Sequence, residues 1–209
     1  MQKTKWISIE AGIGAGKSTQ IARLQELYSG DPGVVVLPEP VDEWRSKGFL
    51  SAMYDGRISR GEFQHCVLQS LAGDLLVALA RKPAPRLIVT ERSPHANFAV
   101  FGRANLTGLG LRLFAHTWER VVAGLDALDV ECHFLYLRTS VDTIVHRMRQ
   151  RGRVEEAGVP REYLLRLHDN HEAFFADLAE SSETIDGDRS EDAVWADVKR
   201  AVQAFDAKP

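Results

Sequence analysis

Lys17 and Ser18 directly follow three alternating glycines in the stretch Glu10-Ala-Gly-Ile-Gly-Ala-Gly-Lys-Ser-Thr19. Backbone N–H groups converging on phosphate oxygens leave little room for a Cβ, so glycines at this density point to phosphate binding. A lysine after the last glycine reaches the outer phosphates of a nucleotide, and the adjacent hydroxyl is placed to ligate Mg²⁺. The expected phosphate cradle is therefore Gly12, Gly14, Ala15, Gly16, Lys17, Ser18 and Thr19. Ala11 stands at the first glycine of G-x-x-x-x-G-K-[ST], a departure that matters only if position 11 needs a positive φ. A glycine-rich turn without a ligand is the competing reading. The apolar run Trp6–Ile9 before it and the helical spacing of Ile21, Leu24 and Leu27 after it favour a phosphate loop opening a helix.

Three further groups could act on a nucleotide. Glu39 sits between Pro38 and Pro40 at the end of an apolar run, which fixes its direction. It could accept the proton of a hydroxyl attacking the γ-phosphate, or be an exposed glutamate in a turn. Glu91-Arg92-Ser93 follows the apolar run Leu87–Thr90. There Glu91 could hold Mg²⁺ through water, and Arg92 could bridge a phosphate and a carboxylate in a fork that lysine cannot make. Arg147, Arg151 and Arg153 read either as a closing lid around the phosphates, at about residues 147–158, or as a solvated basic face before Glu155-Glu156. His168 and His171 have a spacing that can bind metal, but no third ligand is evident, and a structural role is preferred.

These residues need a scaffold that brings them to one place. Apolar runs predict strands at Trp6–Glu10, Val34–Pro38, Arg86–Thr90, Glu131–Leu137 and Glu183–Ile185. Helical patterns span Lys17–Tyr28, Val41–Met53, Gly61–Arg81, Pro94–Ala104, Leu109–Leu125, Val141–Arg151, Arg161–Ala179 and Asp192–Phe205. The alternation predicts an α/β fold of P-loop kinase type: a five-stranded parallel sheet with helices on both faces and an Arg-rich lid. Ligands then lie beyond the carboxyl ends of the strands, where each of the motifs above begins.

The 209 residues suffice for one α/β domain, and no repeat or linker divides them. A net charge of -3 gives no hint of a general nucleic-acid binder, and any positive surface must be local. Cys66 and Cys132, far apart in apolar surroundings, read as buried free thiols of a reducing compartment. No apolar run spans a membrane, and the first strand begins too early for a targeting peptide, so the cytoplasm is expected, with removal of an organelle signal left open.

Taken together the motifs resemble the deoxyribonucleoside kinase family, which includes deoxycytidine, deoxyguanosine and mitochondrial thymidine kinases and the insect multisubstrate enzyme. The resemblance runs through the phosphate loop, Glu39-Pro-Val-x-x-Trp44, Met53-Tyr54, Phe63-Gln64, Glu91-Arg-Ser93, Arg151-Gly-Arg-x-Glu-Glu156 and Leu167-His-x-x-His-Glu172. It implies ATP- and Mg²⁺-dependent transfer of the γ-phosphate to the 5′-hydroxyl of a deoxyribonucleoside in nucleotide salvage. Glu39 resembles the base, with Arg92 orienting it and Lys17 on the phosphates. Tyr54 and Glu156 resemble the pair that binds the 3′-hydroxyl. Gln64 matches the glutamine that hydrogen-bonds the base, and Phe101 the aromatic that stacks on it, with Ile13, Trp44, Met53 and Phe63 closing the pocket. Ser18 and Glu91 fall on the metal side. Adenine is expected near Asp186 and Gly187, within the loop reaching Arg189. A homodimer through helices such as Leu109–Leu125 is also implied.

A neutral, flat nucleoside needs a stacking face and a bidentate amide, which Phe101 and Gln64 can supply. Deoxycytidine-type members carry arginine at the position of Leu71 and aspartate at that of Asn97; both charges are missing here. Val67 and Leu71 resemble the thymidine-accepting and multisubstrate members, so the expectation is thymidine with broad pyrimidine tolerance, Asn97 matching neither pattern. Two alternatives remain at this point: a nucleoside monophosphate kinase of thymidylate-kinase type, and a P-loop NTPase acting as a switch or binding module.

Overall fold

The computed structural model describes residues 3–153, 156, 158–178 and 181–208. Val154, Glu155 and Ala157 of the expected lid, and Ala179 at the end of an expected helix, lie outside the described residues. Five strands, β1 (Thr4–Glu10), β2 (Val34–Leu37), β3 (Leu87–Glu91), β4 (Val130–Arg138) and β5 (Ser182–Asp186), form one parallel sheet in the order β2-β3-β1-β4-β5. The connecting helices are α1 (Lys17–Leu27), α2 (Val41–Ser46), α3 (Phe49–Tyr54), α4 (Arg60–Leu79), α5 (Pro94–Ala96), α6 (Arg103–Asn105), α7 (Gly108–Asp126), α8 (Val141–Arg151), α9 (Arg161–Ala176) and α10 (Glu191–Asp206).

Strand side chains alternate between two faces, and each face is covered by helices. Ile7, Ile9, Leu87, Val89, Leu135 and Leu137 pack on one side with Ile21 and Leu24 of α1, Ile144 of α8 and Val198 of α10. Their neighbours Trp6 and Ile88 pack on the other side with Leu75 of α4 and Leu125 of α7. The doubly covered parallel sheet expected from the alternation is the one observed. Ile9 pairs with both Glu91 and Leu135, so the loop after β1 emerges between the carboxyl ends of β3 and β4. Leu37 pairs with Thr90, which brings the Glu39 turn to the same edge as Glu91 and Arg92.

Two helices differ from expectation. The span Val41–Met53 is two helices, because Gly48 adopts a left-handed φ of 72° and turns the chain between α2 and α3. The span Pro94–Ala104 is interrupted by a π-helical segment, Asn97–Gly102, between α5 and α6. Widening a helix releases backbone carbonyls from their usual partners, and side chains take their place. Asn170 Nδ2 donates to Val100 O at 2.9 Å, and Asn105 Nδ2 donates to Phe101 O at 2.8 Å. Cys66 and Cys132 are free but only partly buried, a correction to their expected burial. No helix among the described residues is long and apolar enough to cross a membrane.

Candidate active site

The phosphate loop turns on glycines: Gly14 and Gly16 have φ of 77° and 100°. Gly16 is the residue before α1, whose first turn carries Lys17, Ser18 and Thr19. Arg92 alone among described non-glycine residues has a positive φ, so Ala11 sits in an ordinary conformation and its missing glycine costs the loop no strain. Gly12 has a different reason: an added Cβ would lie 3.0 Å from Ile144 Cδ1. Lys17 Nζ donates to Ala11 O and Gly12 O at 2.9 and 3.0 Å, and burial pushes its pKa down to about 8.

The acidic groups meet beside it. Ser18 Oγ donates to Glu91 Oε1 at 2.7 Å, and the backbone N–H of Glu39 donates to Glu91 Oε2 at 3.2 Å. One carboxylate thus ties the phosphate loop to the Glu39 turn. Glu39 faces Arg92, with Nε and Oε1 3.4 Å apart. Desolvation raises the pKa of Glu39 above the usual carboxylate value, Arg92 opposes the rise, and Glu91 adds to it. Arg92 is held in a left-handed conformation at φ 69°, its N–H donating to Ile9 O, and its guanidinium lies 3.8 Å from the centroid of the Phe101 ring. Neither the strained backbone nor the ring contact has a signal in the sequence; both depend on where β3 ends relative to the π-helical segment.

A cavity of about 520 Å³ opens over these groups. Lys17, Ser18, Glu39, Glu91 and Arg92 line it at the phosphate-loop side. Ile13, Trp44, Met53, Tyr54, Phe63, Gln64, Val67 and Phe101 also line it. Trp44 and Phe63 meet edge to face at 5.5 Å, and Trp44 Nε1 donates to Ser70 Oγ, so the apolar wall is fixed. Leu71 and Asn97 are corrections. Both are buried and neither lines the cavity; Asn97 stands behind Gln64 and donates to its Oε1 at 2.9 Å. Arg60, Asn105 and Tyr163 line the cavity without having been expected, since ordinary polar residues on separate helices carry no local motif.

The arginine cluster divides in two. Arg151 and Arg153 line the cavity and both pair with Glu156, Arg153 at 3.3 Å. Arg147 lies on the other side of the loop, donating to Ala15 O and Arg189 O at 3.2 Å each. It links the cradle to the loop of Asp186 and Gly187, whose N–H donates to Arg138 O at 2.8 Å. Gly152 caps α8 with a φ of 65°, between Arg151 and Arg153. His171 is fully buried, its Nδ1 2.7 Å from Leu167 O and its ring stacked 5.5 Å from Tyr136, and burial pushes its pKa down to about 3.

One cavity therefore joins a nucleotide-phosphate cradle to a buried carboxylate and an amide-and-aromatic pocket, an arrangement suited to phosphoryl transfer onto a small flat acceptor. The sequence matches the deoxynucleoside kinase family model over residues 7–205. It is 32% identical over 194 residues to the thymidine kinase of Ictalurid herpesvirus 1 (strain Auburn), covering 89% of this chain and 80% of that one. It is 30% identical over 207 residues to the Homo sapiens deoxycytidine kinase, covering 82% and 75%. The fold matches a solved deoxyadenosine kinase from M. mycoides with a TM-score of 0.71 at 19% identity, over 95% of this chain and 99% of that one. The chain belongs to the deoxynucleoside kinase family: it is a nucleotide-using phosphotransferase whose acceptor is a deoxynucleoside.

Proposed function

We propose that the enzyme transfers the γ-phosphate of ATP to the 5′-hydroxyl of thymidine and, more broadly, of pyrimidine deoxyribonucleosides. The observation that carries this reading is the position of Glu39, buried in the same cavity as Lys17 and Ser18 on one side and Gln64 and Phe101 on the other. A carboxylate at the join of donor and acceptor ends, paired with Arg92 and apart from the Ser18–Glu91 contact, suits an acceptor that arrives as a hydroxyl. A monophosphate acceptor attacks through a phosphate oxygen that is already charged and would not need that base.

Each group then has a task. Glu39 accepts the proton of the 5′-hydroxyl, and the rise of its pKa on burial makes it a better base near neutral pH. Arg92 fixes the direction of that carboxylate. Lys17 and the loop N–H groups hold the phosphates, and Arg147, Arg151 and Arg153 add charge around them. Ser18 and Glu91 offer hard oxygen donors within 2.7 Å of each other, a pairing that fits Mg²⁺; when bound, the ion neutralises phosphate charge. Glu156 and Tyr54 bind the 3′-hydroxyl, and adenine lies against the loop of Asp186 and Gly187. The apolar Val67 beside Gln64 supports a base bearing a 5-methyl group.

We further propose a homodimer, in a reducing compartment such as the cytoplasm. Leu109 and Leu113 stand one turn apart and exposed on α7, and Leu76 and Val77 are exposed on α4, which packs beside it. Sedimentation of the protein at micromolar concentration tests this, and a monomer would refute it. The activity is tested by assaying ATP-dependent phosphorylation of thymidine, deoxycytidine, deoxyadenosine, deoxyguanosine and thymidylate side by side. Turnover of thymidine is the expected result. Turnover of thymidylate alone would remove the role of Glu39 and replace this reading with a monophosphate kinase.

A further inference from the structure

Helix α4 lines the cavity with Arg60, Phe63, Gln64 and Val67. Arg60, Gln64 and Val67 are spaced i, i+4 and i+7, so they form one stripe along the helix. At about 1.5 Å per residue the stripe is about 10 Å long, with Gln64 between the other two. It presents, in order, a cation, an amide and an apolar branch.

Arg60 differs from the other arginines of the cavity. Arg45 pairs with Asp42, Arg92 faces Glu39, and Arg151 and Arg153 pair with Glu156. Among the described residues Arg60 meets neutral groups instead. Its Nη1 donates to Asn105 Oδ1 at 3.2 Å, and its guanidinium lies 5.3 Å from the centroid of the Tyr163 ring. Asn105 is fixed in turn, its Nδ2 donating to Phe101 O at 2.8 Å and to Tyr163 Oη at 3.0 Å. The head group is thus held toward α6 and α9 at the cavity wall, although Arg60 is an exposed residue. A guanidinium can only donate, so it selects an acceptor atom on a ligand.

A pyrimidine carries its groups along one edge in a fixed order: position 5, the 4-substituent, N3 and the 2-carbonyl. Gln64 suits the 4-substituent and N3, which need one donor and one acceptor. With position 5 against Val67, the 2-carbonyl lies toward the Arg60 end of the stripe. The reverse orientation would set a 5-methyl group against the guanidinium and the carbonyl against Val67, leaving both mismatched. Thymine and cytosine share the 2-carbonyl. Adenine held through its amino group and N1 turns a C–H to that place, and guanine held through its carbonyl and N1 turns an amino donor there.

We propose that Arg60 binds the 2-carbonyl of the base and so selects pyrimidine over purine deoxyribonucleosides. This rests on the reading of the cavity as a deoxynucleoside site with Gln64 at the base edge. Arg60 reads the feature that thymine and cytosine have in common, so it favours both without separating them.

The test measures kcat and KM for thymidine, deoxycytidine, deoxyadenosine and 2-thiothymidine, in which a weakly accepting sulfur replaces the 2-oxygen, with the wild-type enzyme and R60M. Methionine keeps an apolar stem beside Tyr163 and removes the charge and the donors. R60M is expected to raise KM for thymidine and deoxycytidine about tenfold or more, with kcat within a few-fold of wild type. Its kcat/KM for deoxyadenosine is expected within about threefold of wild type. The wild-type enzyme is expected to prefer thymidine to 2-thiothymidine by about tenfold or more, and R60M to bring the two within about threefold of each other. An equal loss on all four substrates is what a purely structural contact among Arg60, Asn105 and Tyr163 would give, and it overturns the proposal. So does a thymidine KM unchanged by R60M, or a preference over 2-thiothymidine that survives the substitution. If R60M does not fold, the wild-type enzyme decides, since equal use of thymidine and 2-thiothymidine overturns the proposal and the tenfold preference supports it. If deoxyadenosine is turned over too slowly to measure, the same pair of substrates decides. Failure of the wild-type enzyme to phosphorylate any deoxynucleoside is a different outcome, and it overturns the underlying reading together with this one.

Discussion

Replacing Glu39 by glutamine removes one charge and the proton acceptor while keeping the side chain's shape. Arg92 Nε then faces an amide oxygen in place of the carboxylate oxygen 3.4 Å away, so the direction of the side chain is retained. Loss of a positioned base lowers rates by roughly 10²- to 10⁴-fold, or about 3–5 kcal/mol of barrier. The pocket made by Gln64, Phe101 and Trp44 is untouched, so KM for the deoxynucleoside should stay within a few-fold. The pH profile gives a second readout. The pKa of Glu39 lies above 4.5, so wild-type kcat/KM should fall as pH drops through that raised value, and the E39Q profile should lose this acid limb. Steady-state kinetics at saturating ATP between pH 5 and pH 9 make the measurement. A kcat within about fivefold of wild type, or an acid limb that survives the substitution, would refute the role of Glu39 as base.

Glu10 is fully buried, with its pKa pushed up to about 7 from 4.5 by desolvation, against opposing hydrogen bonds from Ser93 and Ser8. The folded protein then holds this proton more tightly than the unfolded chain, so Glu10 costs nothing below pH 4.5 and destabilises progressively up to pH 7. E10Q should match wild type near pH 4.5 and exceed it by up to about 3 kcal/mol at pH 8, as urea unfolding at both pH values would reveal. Gly102 has no room for a side chain, since a Cβ would lie 2.8 and 2.9 Å from ring carbons of the fully buried Phe114. G102A should cost about 1–3 kcal/mol and lower Tm by several degrees, measurable by calorimetry. Glu156 holds both Arg151 and Arg153 at the cavity mouth, so E156A should raise KM for the deoxynucleoside about tenfold or more, with unchanged thermal stability; unaltered KM would remove it from the acceptor site.

The local chemistry of this protein was legible in its sequence. Glycines that permit positive φ, a lysine and hydroxyl at a helix start, and alternating apolar runs each act over a few residues, and their spacing is preserved in the fold. Phosphate loop, parallel sheet and covered faces followed from that. Gly48 was the visible exception, since a glycine between two helical patterns can be tolerated or can turn the chain. What only the tertiary structure decided is which distant residues share one surface. Arg92 takes a strained φ and lies over Phe101 because the end of β3 and the π-helical segment are brought together by packing. Arg147 and Arg151, one turn apart on α8, part because Arg147 meets the backbone of the phosphate loop while Arg151 pairs with Glu156. Asn97 sits behind Gln64 because the start of the π-helical segment is packed against α4. Sequence spacing encodes contacts within an element; contacts between elements come from how the core closes, and the base end of the cavity is made almost wholly of the latter.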